Sequence, residues 1–108
     1  MAVEIWHNPR CSKSRAALAY LEAKGVTPEV RLYLKDGPSQ EELRDMLMAL
    51  GLPASALLRK EGAALKGEAE NVIVAALAAD PALIERPVIR NGGKAVIGRP
   101  TEAIDDVL

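Results

Sequence analysis

The chain has 108 residues, 49% hydrophobic and 27% charged, with 14 basic against 15 acidic side chains and a net charge of −1. That length makes one domain with one core. The even charge balance, with only Trp6, Tyr20 and Tyr33 aromatic, excludes a nucleic-acid surface.

Residues 2–7 alternate as a strand, with Val3 and Ile5 on one face. Ser12 to Lys24 reads as a helix stopped by Gly25. Glu29 to Leu34 reads as a second strand, with Val30, Leu32 and Leu34 alternating against Arg31 and Tyr33. Strand, helix and strand at this spacing make a βαβ unit with parallel strands.

A helical insertion follows, over about residues 38–84 of a single domain spanning 1–108. Ser39 and Glu42 form a capping box, and Leu43, Met46, Leu47 and Leu50 mark one face before Gly51. Ser55 to Lys60 and Glu70 to Ala79 read as two more helices, and Asp80-Pro81 opens a further turn. Val88-Ile89 and Ala95-Val96-Ile97 flank Asn91-Gly92-Gly93, a hairpin signal. Pro100 to Leu108 reads as a terminal helix carrying Ile104, Val107 and Leu108 on one side. The order βαβ, helical insertion, ββα predicts an α/β fold, a four-stranded mixed sheet of thioredoxin-like type.

No apolar run nears the roughly 20 residues of a membrane span, and Met-Ala-Val-Glu shows no secretory pattern. One free cysteine fits a reducing, cytoplasmic setting.

The only histidine and the only cysteine, His7 and Cys11, share the segment His-Asn-Pro-Arg-Cys-Ser-Lys, where the first strand turns into the first helix. An isolated cysteine is commonly a small core hydrophobe. Cys11 instead lies in a polar loop beside Arg10, Lys13 and Arg15, at a helix start whose unpaired N–H groups favour a thiolate. Ser14 stands where a second cysteine would allow an internal disulfide, so any disulfide must form with another molecule. One arginine about 5 Å away contributes on the order of 3 kcal/mol at an effective dielectric of 20. A helix start contributes roughly 0.3–1 kcal/mol, up to about 2. Arginines are therefore expected to dominate the thiol's acidity.

Candidates are Arg15, Arg59, Arg86 and Arg99. The last two flank the hairpin, each before a proline that biases it toward an extended conformation. A guanidinium fork suits tetrahedral oxyanions, so a thiolate among arginines is a site for attack on a bound oxyanion. His7 could orient the loop or pair with the thiolate as an imidazolium. One Cys and one His fall short of a metal site, so no metal and no bound cofactor are expected.

His-Asn-Pro-Arg-Cys-Ser-Lys-Ser-Arg at 7–15, Leu-Leu-Arg-Lys at 57–60, Glu-Arg-Pro-Val at 85–88 and Gly-Arg-Pro at 98–100 resemble, in order, the glutaredoxin-dependent arsenate reductase family. The resemblance implies that Cys11 is the nucleophile toward arsenate, that Arg59, Arg86 and Arg99 bind the oxyanion, and that His7, Ser14 and Arg15 support the loop. It further implies glutathione as co-substrate, glutaredoxin as partner and Pro87 as a cis-proline. The segment between Arg59 and Arg86 is several residues shorter than is usual there. Two other readings keep the fold: a glutathione-dependent thiol oxidoreductase of another substrate, and a polymerase-binding redox regulator. The regulator reading lacks its Cys-x-x-Cys switch here.

Overall fold

Strand β1 (Val3–Trp6) sends alternate side chains to opposite faces, and both faces are covered. The computed structural model describes residues 2–108. After β1, helix α1 (Ser12–Ala23) carries the chain back, and Gly25, at φ 78, makes the turn that a side chain would resist. Strand β2 (Glu29–Arg31) pairs parallel to β1 with Val30 opposite Ile5. Strand β3 (Val88–Asn91) pairs antiparallel on the other side of β1, and β4 (Lys94–Ile97) antiparallel to β3. The order β2-β1-β3-β4 is the thioredoxin-like sheet that the sequence predicts.

On one face, α2 (Gln40–Leu50) and α3 (Glu70–Ala79) pack Leu43, Met46, Ile73, Val74 and Leu77 against Trp6 and Val88. On the other, Ala17 and Leu21 of α1, with Ile104 and Val107, cover Val3, Ile5 and Ile89. The capping box forms as read: Glu42 N donates to Ser39 Oγ at 3.0 Å and Ser39 N to Glu42 Oε1 at 3.0 Å. Glu42 also pairs with Arg31, whose hydrogen bonds, with the Ser39 N–H, hold its carboxyl at about 2. That pair ties β2 to the start of α2, and the same guanidinium lies 5.8 Å over the ring of Trp6. The indole Nε1 is buried and has no partner among the described residues.

Four local expectations are corrected. Strand β2 ends at Arg31, because Lys35 N and Asp36 N both close a turn on Leu32 O at 2.9 Å. Tyr33 is then the buried residue, at 1% exposure, while Val30, Leu32 and Leu34 lie outside. The helix expected over 55–60 is a 3-10 turn at Ala54–Leu57 and another at Lys60–Leu65, split by a bridge between Leu58 and Ile84. Between strands β3 and β4 the turn is Gly92-Gly93 alone, with Gly92 at φ 63, and Asn91 pairs with Lys94 inside the ladder. Thr101–Val107 is a 3-10 helix rather than an α-helix. Its three-residue repeat stacks Ile104 over Val107 on the sheet and leaves Leu108 exposed.

The Arg86–Pro87 peptide is cis, and so is Arg99–Pro100, which was not anticipated. Gly98 donates its N–H to Pro87 O at 2.9 Å. A Cβ on Gly98 would lie 2.9 Å from Ile89 Cδ1 and 3.1 Å from Pro87 Cγ. The ring cannot rotate away, so this close approach requires glycine. Gly98→Ala should cost about 1–3 kcal/mol through overpacking, seen as a lower urea midpoint. Gly67→Ala, with nothing within 4 Å of its Cβ, should leave the midpoint unchanged.

Candidate active site

Asn8 to Arg10 bend the chain out of β1, and Cys11 N donates to Asn8 O at 3.0 Å to close the bend. Cys11 is the N-cap of α1 in extended geometry (φ −95°, ψ 123°), and no acidic residue occupies the first turn. Under the loop, Ser14 is fully buried and accepts the Asn8 N–H on its Oγ at 3.0 Å. The same hydroxyl lies 2.6 Å from Nδ1 of His7. With that oxygen accepting from Asn8, the hydroxyl proton is free to go to a neutral imidazole. Burial, and secondarily the charge of Arg15, hold His7 below its ordinary value, which favours the same form. Of the two roles open to His7, the geometry therefore fits loop support rather than an imidazolium on the thiolate. Arg15 Nη1 donates to Pro9 O at 2.9 Å, bracing the loop from outside, and does not line the cleft above Cys11.

That cleft has a volume of about 580 Å³. Arg59, Arg86 and Arg99 converge in it with Cys11, from three separate segments. The bridge between Leu58 and Ile84 does the first part of this. Arg59 N donates to Leu83 O at 2.9 Å and Glu85 N to Leu57 O at 2.6 Å, which lays the Arg59 segment beside Arg86. The β3–β4 pairing brings Arg99 back to the same end of the sheet, where its Nε donates to Arg86 O at 2.7 Å. Its Nη2 lies 3.9 Å from Cys11 Sγ. Arg59 pairs with Glu61 at 3.2 Å. Arg86 is the exception: its Nε and Nη1 are buried and have no partner among the described residues. Arg10, Lys13 and Lys60 add positive charge to the rim, against one carboxylate, that of Glu85.

Burial pushes the Cys11 thiol up, but opposing contributions outweigh it and the net shift is downward. The Ser14 backbone N–H leads them, followed by the Arg86 guanidinium and the Lys13 N–H. The thiol makes no cap hydrogen bond of ordinary geometry, yet these N–H groups face it closely enough to favour the anion. Arginine is thus not alone: the Ser14 N–H at the helix start is the largest single lowering, and Arg86 acts both by hydrogen bonding and by charge. Arg86 shares the lowering with those N–H groups, whereas Arg99 sits at the edge of contact and Arg59 is engaged by Glu61.

Two residues of the cleft region escaped the sequence. Glu85 was visible only as the neighbour of Arg86. Tyr33 read as a strand residue, yet its hydroxyl, pushed up by burial, lies within the fields of Arg86, Arg59 and Cys11. Among the described residues no group of three His, Cys, Asp or Glu side chains is placed to hold a metal ion. No helix among the described residues is long and apolar enough to cross a membrane.

Comparison with known proteins gives a consistent result. An arsenate reductase of Neisseria meningitidis serogroup A is 41% identical, the alignment covering 98% of this chain and 97% of that one. One from Haemophilus influenzae is 40% identical over all of both chains. The solved structure of an arsenate reductase from Vibrio cholerae superposes with a TM-score of 0.93 at 41% identity, covering 100% of this chain and 98% of the other. Residues 6–107 match the model of the ArsC family, so nearly the whole chain, its reactive loop and arginine-bearing segments included, belongs to that family.

Proposed function

We propose that this chain reduces arsenate, with Cys11 as nucleophile, Arg59, Arg86 and Arg99 as the oxyanion clamp, and glutathione with glutaredoxin as the source of electrons. The observation that carries the reading is Arg86. Two buried guanidinium N–H groups without a protein partner among the described residues are costly, and Arg86 lines a cleft that also holds an acidified thiol. A tetrahedral oxyanion supplies the missing acceptors in a shape that the guanidinium fork matches. The relatives named arsenate reductase support arsenate as that anion.

In this reading the Cys11 thiolate attacks arsenic and an arsenic-bound oxygen leaves as water once protonated. Cation charge around the cleft offsets the negative charge of nucleophile and substrate, which would otherwise repel. A glutathione thiolate then attacks the adduct. The S–As bonding pair stays with arsenic, which falls from As(V) to As(III) and leaves as arsenite, while the two sulfurs join as a mixed disulfide. Glutaredoxin attacks the glutathione sulfur of that disulfide and frees the Cys11 thiolate. A second glutathione restores glutaredoxin, giving oxidised glutathione. With Cys11 as its only thiol, the chain must take both electrons from outside.

The deciding measurement is NADPH oxidation in a coupled assay containing arsenate, glutathione, glutaredoxin and glutathione reductase. Turnover should depend on arsenate and vanish in Cys11→Ser, because a hydroxyl at neutral pH is a far weaker nucleophile. Undiminished turnover by the serine variant would end the mechanism.

Iodoacetamide alkylation of Cys11 should rise with pH through a midpoint below the free-thiol value of about 8.5. Since the anion is what the fold favours, the reactive form is more populated at neutral pH than in a free thiol. A midpoint at or above the free value would mean that burial outweighs the N–H groups and arginines.

Replacing Arg86 by lysine keeps the charge and removes the fork. A charge-assisted hydrogen bond made in the transition state is worth roughly 1.5–3 kcal/mol, so kcat/KM should fall about 10- to 150-fold. Arg44→Lys is the control, since Arg44 only reaches Gln40 on the exposed side of α2 at 3.2 Å. Equal, negligible losses at both positions would make Arg86 a structural charge.

A further inference from the structure

A carboxylate is the wrong sign for a cleft that gathers cations around an anion, yet Glu85 lines it. Its placement is fixed from both ends. Glu85 N is held by Leu57 O at 2.6 Å. Its Oε1 accepts from Arg86 N at 3.1 Å and stands 3.6 Å from Nε of Arg99. That same Arg99 extends its Nη2 to within 3.9 Å of Cys11 Sγ. Both contacts of the carboxylate fall on Oε1, and the side chain remains 27% exposed, toward the cleft it lines. Holding Arg99 and offsetting its charge engages the first oxygen. No contact among the described residues engages the second oxygen, which leaves it available to accept from a ligand in the cleft that Glu85 lines.

An ionised carboxylate can only accept hydrogen bonds. Among tetrahedral oxyanions at neutral pH, arsenate and phosphate retain a proton and sulfate retains none. A site with an acceptor aimed at a ligand hydroxyl discriminates strongly against the analogue that lacks it, because the acceptor is left unpaired against negative charge. We infer that Glu85 makes the cleft selective for oxyanions that carry a proton, rejecting fully deprotonated ones such as sulfate. The inference rests on the proposed oxyanion site and adds a specificity-determining residue to it. The guanidinium and lysine side chains attract any anion; Glu85 is what sorts them. Sulfate is also tetrahedral and doubly charged, so shape and net charge alone would leave it a competitor for every arginine in the cleft.

The test uses inorganic phosphate and sulfate as probes on the full chain, at fixed ionic strength near pH 7. Protection of Cys11 against iodoacetamide is read as a function of anion concentration, with no arsenate or reductant present. In the unmodified chain, phosphate should protect at concentrations about tenfold or more below those of sulfate, the low end expected for a charge-assisted hydrogen bond. Glu85→Gln keeps an oxygen acceptor for the Arg86 N–H, removes the charge and offers an amide donor. It should close most of that gap, chiefly by tightening sulfate. Glu22→Gln removes the same charge on the exposed side of α1, away from the cleft, and should leave the ratio as it was.

A phosphate-to-sulfate ratio unchanged by Glu85→Gln overturns the inference while leaving the oxyanion site standing. Equal tightening of both anions, or equal weakening, also overturns it. The first would reduce Glu85 to its net charge, the second to its hold on Arg99. If neither anion protects Cys11 in the unmodified chain, the oxyanion site itself falls, and the selectivity with it.

Discussion

In the antiparallel pairing of β1 with β3, Trp6 lies opposite Val88. The chain leaving β1 therefore runs beside the chain approaching β3, and the His7–Cys11 loop meets the Glu85–Pro87 segment at one end of the sheet. Pairing of β3 with β4 adds Arg99 through Val88 opposite Ile97. The Leu58–Ile84 bridge adds Arg59 from the helical segment. Each ladder is an ordinary set of backbone hydrogen bonds, but together they bring three distant guanidinium groups to the cleft above one sulfur. Slipping the β1–β3 register by one residue would turn Ile5 and Ile89 out of one core and Trp6 and Val88 out of the other. Burial on both faces thus holds the register, and the register holds the site.

The cationic cluster carries an energetic cost that the loop around Cys11 helps to offset. Like charges repel, and Arg86 is partly desolvated as well. The protein answers with local anchors: Glu61 on Arg59, the Arg86 carbonyl and Glu85 on Arg99. The thiol draws on Arg86 and also on backbone N–H groups, which carry no net charge and add nothing to that repulsion. A helix start is well suited to this, since its donors are already unpaired and fixed in direction.

Much of this was legible in the sequence. The βαβ unit, the Ser39–Glu42 capping box and the β3–β4 hairpin are local signals, and each forms, the hairpin with Asn91 inside the ladder rather than in the turn. Arg59, Arg86 and Arg99 could be chosen because their flanking motifs singled them out. The failures are tertiary. The edge position of β2 let Val30, Leu32 and Leu34 face outward, while Arg31 closed over Trp6 and Tyr33 went inside. Alternation in the sequence gives the period of a strand but not which face is wet. Residues 55–60 have helix-forming composition, yet Leu58 is drawn off to pair with Ile84, a partner no local pattern reveals. Cleft membership follows the same rule: Arg15, four residues after Cys11, braces the loop from outside the cleft, whereas Glu85 enters it from 74 residues away.

Trp6 is the only tryptophan in the chain, and it sits at the junction just described. It is 2% exposed, roofed by the Arg31 guanidinium, and one residue before the loop that carries Cys11. All of the indole emission of this protein therefore comes from one ring in one environment, with no other indole to dilute it. The chain has a built-in optical reporter whose wavelength follows the β1–β3 junction and the Arg31 charge above it. Cleft events that leave that junction unmoved are dark to it, whereas those that shift the end of β1 are visible without a label.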